Sequence, residues 1–151
     1  MDGRVVLRTS PAELQQQGPI LKVLISHTQA ELTEATSLGL QFPPSLPFNA
    51  LIDTGAAVTV INRQLAETYK LKYTGPERIT SVGSAAQYFP GYAAAISFPD
   101  RNLRRFDIVR IIACPLASPA MSCLIGRDIL RYWELTYNGG SGEVTIRDLR
   151  P

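Results

Sequence analysis

A single carboxylate stands between two strongly apolar runs in the first half of the chain. Asp53 follows residues 50–52 (ALI) and opens the tripeptide Asp-Thr-Gly, and residues 58–61 (VTVI) restore the apolar pattern. Aspartate is almost never fully buried without a partner, so Asp53 either caps a turn between two strands or is a functional acid that those strands hold. Gly55 has no Cβ and lets backbone amides approach the carboxylate, and the flanking hydroxyl can add hydrogen bonds. A carboxylate fixed in this way can activate a water molecule as a general base.

The elements that must position Asp53 are mainly β-strands. Alternating and β-branched apolar residues predict strands, and helical propensity with caps predicts three short helices. Small residues between two apolar arms predict a hairpin over residues 79–98, and a glycine-rich turn predicts a second hairpin at the carboxyl end of the chain. The predicted strands cover residues 20–26, 106–112, 123–125 and the segment before Asp53, the second hairpin covers residues 134–147, and the helices cover residues 29–38, 63–69 and 128–133.

Length and composition limit the class of protein. The chain has 151 residues, of which 45% are hydrophobic and 19% charged, as expected for one globular domain. A net charge of +2 gives no reason to expect a nucleic-acid partner. No apolar window is long enough to span a membrane, and the start of the chain does not resemble a secretory signal. We therefore expect an intracellular, cytoplasmic protein.

The cysteines and the single histidine restrict the chemistry further. Cys114 and Cys123 can form at most one bridge, and two reduced thiols are the favoured interpretation. His27 is the only histidine, which argues against a histidine-based metal cluster and against a Ser-His-Asp triad. We predict no metal and no cofactor. His27 itself is expected at the surface or at the end of a strand.

Two motifs together resemble one known family. Residues 50–56 (ALIDTGA) resemble the active-site motif of the retroviral-type aspartic proteases, the retropepsin-like family. Residues 124–130 (LIGRDIL) resemble the apolar-apolar-Gly segment of that family and the helix that follows it, and the hairpin at 79–98 stands where the family has its flap. The resemblance covers roughly residues 18–147. It implies a mainly β, retropepsin-like acid protease fold, which is a closed β-barrel-like domain with a flap hairpin and one or two short helices. Residues 1–17 would be an N-terminal extension and residues 18–151 the protease domain.

The resemblance implies an aspartic endopeptidase that hydrolyses extended polypeptide segments. Such enzymes need two carboxylates around one water, and because like charges so close cannot both ionise, the pair shares a proton. This chain has one Asp-Thr-Gly, so the second carboxylate should be Asp53 of a second copy in a homodimer. The alternative is a catalytically silent module of the same fold that binds peptides or dimerises a larger assembly.

The resemblance also implies a role for each matching position. Asp53 would be catalytic; Thr54 would bond across the dimer axis, the Gly55 carbonyl would bind substrate backbone and Ala56 would line the site. The remaining positions are the flap and substrate-binding residues Val82, Gly83, Ser84, Ala85 and Ala86, and the structural motif Leu124, Ile125, Gly126 and Arg127.

Two features depart from the family pattern, and the role of the carboxyl-terminal hairpin is left open. The acidic residue that usually follows Asp-Thr-Gly-Ala is here Ala57, so Arg127 lacks its usual partner and is expected to pair with Asp128 or Glu134. Residues 28–47 form an insertion that could cover the cleft, contribute to the dimer contact or be a surface excursion, the last being slightly favoured. The hairpin at 134–147 either joins the partner chain in a shared sheet or packs within its own subunit.

Overall fold

The computed structural model describes residues 3–80, 83–116 and 121–151 of the chain. Ten strands and four short helices lie in the described part. The strands are β1 (Arg4–Arg8), β2 (Ile20–Ser26), β3 (Phe48–Ile52), β4 (Val60–Asn62), β5 (Lys72–Ile79), β6 (Gln87–Ser97), β7 (Phe106–Cys114), β8 (Cys123–Ile125), β9 (Trp133–Asn138) and β10 (Glu143–Asp148). The helices are α1 (Pro11–Gln17), α2 (Gln29–Ser37), α3 (Arg63–Thr68) and α4 (Arg127–Leu130).

The larger sheet closes on itself. Its order is β2-β3-β8-β4-β7-β6-β5, and β2 also pairs with β6, so the first six strands of this order form a ring and β5 extends from its rim. Inward-facing residues of these strands are almost wholly buried, among them Val23, Ile25, Ile61, Ile111 and Ile125. The prediction of a mainly β, barrel-like domain is therefore confirmed.

A smaller sheet joins the two ends of the chain. β10 pairs with β9 across the predicted glycine-rich turn and with β1 on its other side, so that the order is β1-β10-β9. No element is predicted for residues 4–17 from the sequence, yet β1 and α1 lie there. Ser10 caps α1 by accepting a hydrogen bond from the backbone N–H of Glu13, and Pro11 occupies the first helical turn, where a missing N–H costs nothing.

The insertion at 28–47 is attached to the barrel through His27. His27 directly follows β2, as the strand-end alternative has it, and it is 3% exposed, so the surface alternative is wrong. Its ring stacks on Phe42 at 3.5 Å between centroids, lies 3.0 Å from the carboxylate of Glu31 and donates from Nε2 to the Tyr69 carbonyl at 2.9 Å. The ring thus connects Glu31 and Phe42 of the insertion to Tyr69, the residue that follows α3.

No helix in the described ranges is long and apolar enough to cross a bilayer.

Candidate active site

The strand order determines where Asp53 lies. β8 is parallel to β3 on one side and antiparallel to β4 on the other, so the loop at 53–59 that joins β3 to β4 must cross the carboxyl end of β8. Ile52 is paired with Ile125, and the Asp53 N–H donates to the Ile125 carbonyl at 2.9 Å. Asp53 is therefore anchored beside Gly126, the residue that follows β8.

The Asp53 carboxylate is held by its own turn. Its Oδ1 accepts a hydrogen bond from the Gly55 N–H at 2.9 Å, and its carbonyl accepts one from the Ala56 N–H at 3.2 Å. A Cβ on Gly55 would stand 3.2 Å from Oδ1, so the absence of a side chain leaves space for the hydrogen bond between the Gly55 N–H and Oδ1. Within the described part of the chain, Oδ2 has no hydrogen-bond partner. Asp53 is half-buried, and its carboxylate offers one free oxygen to a water molecule.

A buried polar network lies beneath this turn. Thr59 is 0% exposed, its Oγ1 accepts from the Gly126 N–H at 3.1 Å and donates to Asp128 Oδ1 at 2.7 Å, and its N–H donates to Asp128 Oδ2 at 3.0 Å. Gly126 packs so closely that an added Cβ would stand 2.5 Å from the Val58 carbonyl oxygen. The network joins the two motifs of the sequence into one unit. Sequence reasoning missed Thr59 and Asp128 as members of the site, although a lone hydroxyl within an apolar strand was a signal of a buried hydrogen bond.

The thiol of Cys123 lies next to this network. Cys123 is fully buried and Cys114 half-buried, and both are free, in agreement with the interpretation as two thiols. Burial, followed by the negative charge of Asp128, raises the pKa of Cys123 far above its usual range, and burial also raises the pKa of Cys114. Both thiols therefore stay protonated and serve as packing groups.

Arg127 binds the active-site turn at two points. Its backbone N–H donates to the Ala56 carbonyl at 2.9 Å, and its guanidinium Nη1 donates to the Thr54 carbonyl at 2.7 Å. Thr54 is exposed, and its hydroxyl bonds to no described residue.

The expected pairing of Arg127 with Asp128 or Glu134 is wrong. The Asp128 carboxylate is occupied by Thr59, and Glu134 forms a cross-strand ion pair with Arg147 at 2.8 Å. Arg127 binds a backbone carbonyl in place of a carboxylate.

The hairpin of β5 and β6 projects beyond the barrel. β6 pairs with β7 only from Gly91 onward, whereas its pairing with β5 runs from Gln87 to Ala93. Residues 76–79 and 87–90 therefore form a two-stranded arm. The sequence pattern predicts the hairpin over residues 79–98, and the structure begins it at Lys72.

Glycine and proline explain why β5 is not evident from the sequence. Gly75-Pro76 resembles a turn, but Pro76 lies on an edge strand, where a ladder hydrogen bond is not required of it. Pro76 faces Pro90, and Gly75 faces Gly91, beside a register shift after Tyr73. Of the predicted flap residues, Val82 lies outside the described residues. Gly83, Ser84, Ala85 and Ala86 connect the two strands, and no hydrogen bond joins these four to the turn at Asp53 in the described part.

Comparisons with known proteins assign the chain to a family. The family model for the retroviral aspartyl protease matches residues 15–138. Among solved structures, the chain is similar to the crystal structure of a retropepsin-like aspartic protease from Rickettsia conorii, with 14% identity, coverage of 84% of this chain and 90% of that chain, and a TM-score of 0.38. A search of curated proteins gives no significant match. Because the family model spans most of the chain and includes both motifs of the site, this chain belongs to the retroviral aspartyl protease family.

Proposed function

We propose that the chain is an aspartic endopeptidase whose active site is completed by a second copy of itself. The observation that carries the proposal is the Asp53 carboxylate, whose Oδ1 accepts from Gly55 and whose Oδ2 has no partner among the described residues. It lies on a turn that Arg127 and the Thr59 network hold in place. Proteins of this family are aspartic peptidases and generally work as dimers.

One Asp53 alone cannot supply both proton transfers. In the proposed dimer, the ionised Asp53 takes a proton from the shared water while the protonated Asp53 of the partner subunit donates one to the scissile carbonyl. The resulting gem-diol then releases the amine, with no covalent intermediate. Thr54, whose hydroxyl has no described partner, would bond across the dimer axis, and the Gly55 carbonyl would bind substrate backbone.

Two open sheet edges support the dimer. β1 and β9 are the outer strands of the smaller sheet, and each has one edge without a strand partner in the described part of the chain. Open edges are sites where a further strand can be added. The hairpin of β5 and β6 would close over an extended substrate as a flap, by adding it as a strand and excluding water.

A comparison of wild type with Asp53→Asn tests the catalytic role. Both proteins are incubated with a peptide library from pH 4 to pH 7, beside Asp100→Asn, which makes the same chemical change in an exposed turn. We expect Asp53→Asn to lose at least about 10²-fold in rate and Asp100→Asn to match wild type. If no peptide is cleaved by dimeric wild type, the proposed function fails, and a silent peptide-binding module takes its place.

A mixing experiment tests the shared site. When equal amounts of wild type and Asp53→Asn exchange subunits, a quarter of the dimers carry two intact carboxylates. Total activity should therefore fall to about half of that of the same wild-type protein alone. Activity that does not change on mixing, under conditions where sedimentation shows exchange, would mean that each chain acts alone.

A further inference from the structure

Arg127 is connected to the catalytic carboxylate by a single peptide group. Its Nη1 donates to the Thr54 carbonyl at 2.7 Å, and the N–H of the same peptide group, on Gly55, donates to Asp53 Oδ1 at 2.9 Å. The peptide is planar and rigid. A charged donor on its carbonyl oxygen therefore fixes the direction of its N–H and also polarises it, and hydrogen bonds in such a chain strengthen one another.

No carboxylate in the described part of the chain competes with the Thr54 carbonyl for the guanidinium of Arg127. It is exposed, forms no ion pair with a described carboxylate, and Ala57 provides none at the position where the family pattern has an acid. Asp128, the neighbouring acid, accepts hydrogen bonds from the N–H and hydroxyl of Thr59 and from the Ile129 N–H. No other charged side chain is hydrogen-bonded to residues 53–57 from any described element.

We propose that Arg127 is a positioning residue of the active site, which orients the Asp53 carboxylate through the Thr54–Gly55 peptide. This inference rests on the proposed function. It gives the arginine a role that needs no acidic partner. Its backbone N–H separately docks α4 on the Ala56 carbonyl, so the side chain can be changed while that contact is kept.

The test compares Arg127→Met with Arg131→Met. Arg131 lies at the end of the same helix, loses the same charge on substitution, and contacts Tyr132 rather than the active-site turn. For Arg127→Met we expect kcat to fall at least about fivefold with KM within about twofold, because the group acts on the reacting carboxylate rather than on substrate.

Arg127→Lys restores the charge and one donor without the fork of the guanidinium. We expect kcat to recover only in part in Arg127→Lys. Arg131→Met should keep both the kcat and the KM of wild type.

A second measurement does not depend on cleavage. The backbone amide of Gly55 is followed by NMR in protein labelled at glycine, because its proton shift reports the hydrogen bond to Asp53 Oδ1. This signal should move upfield in Arg127→Met, as the bond weakens, and stay unchanged in Arg131→Met. If wild type cleaves nothing but the Gly55 signal still moves, the proposed function fails and the connection to Asp53 stands.

Two results would overturn the positioning role. One is an Arg127→Met protein with the kcat and the Gly55 amide signal of wild type. The other is a loss of activity that sedimentation attributes wholly to dissociation, with normal activity in each remaining dimer.

Discussion

A methyl group at Gly126 should disrupt the packing that supports the loop of Asp53. Gly126 has φ −92° and ψ −178°, which any residue can adopt, so alanine brings no backbone strain. Its effect comes from packing alone. The added carbon would stand 2.5 Å from the Val58 carbonyl oxygen and 2.9 Å from the Thr59 nitrogen.

The geometry sets the size of the effect. The carbon would be about 0.9 Å closer to the Val58 oxygen than the 3.4 Å at which ordinary contact begins. The atoms that must move belong to backbone, so β8 and the loop at 53–59 must separate, which stretches the 3.1 Å bond from the Gly126 N–H to Thr59. Overpacking of this kind typically costs 1–3 kcal/mol, and the weakened hydrogen bond places Gly126→Ala at about 3 kcal/mol or more. In a domain of this size that corresponds to a fall in Tm of about 6–12 °C.

Gly139→Ala is the matched control. It changes the unfolded chain in the same way, but in the folded protein its added carbon meets only a Tyr137 ring carbon at 3.5 Å, an ordinary contact. The free energy of unfolding of both variants is measured in urea and compared with that of wild type. If Gly126→Ala is as stable as Gly139→Ala, the contact between Gly126 and the Val58–Thr59 backbone is not what holds the loop, and the reasoning is refuted.

Two further changes probe other contacts of the fold. Thr59→Val keeps the shape of the side chain but removes the hydroxyl that donates to Asp128, so it should lower the free energy of unfolding, measured in urea, by about 2–3 kcal/mol. Thr59→Ser keeps the hydroxyl and should lose less than half of that. Equal losses in the two variants would contradict the role of the hydroxyl. Burial opposes ionisation of Asp148, but hydrogen bonds from Arg150 and Arg104 and the Arg150 charge outweigh it, so the pKa of Asp148 lies below its ordinary 3.8. Because the folded pKa is the lower one, the carboxylate stabilises the fold above about pH 4 and loses this effect as the pH falls through the folded pKa. Urea unfolding should therefore show Asp148→Asn about 2 kcal/mol less stable than wild type at pH 7, with a difference that shrinks below pH 4; a difference independent of pH would contradict this.

Local patterns were enough to single out Asp53 and to predict the elements beside it. The strands at 20–26 and 123–125 and the helices predicted to start at residues 29 and 63 follow from residues a few positions apart, and the structure has them there. β5 was hidden because Gly-Pro normally ends a strand, and only its edge position makes the pair acceptable. The burial of His27 could not be predicted because one of its partners, Tyr69, lies 42 residues away.

The support of the site is harder to predict for a definite physical reason. Thr59 meets Gly126 and Asp128 across separations of 67 and 69 residues, and Thr54 meets Arg127 across 73. Such contacts depend on one topological fact, the insertion of β8 between β3 and β4, which brings the two motifs to the same place. Without that order, charge matching favours a nearby acid for Arg127, and the carbonyl it actually binds carries no signal in the sequence. A backbone acceptor exists at every residue, so only the fold selects one. The residues that hold Asp53 can therefore be identified only once the strand order is known, whereas Asp53 itself can be identified from its neighbours in the chain.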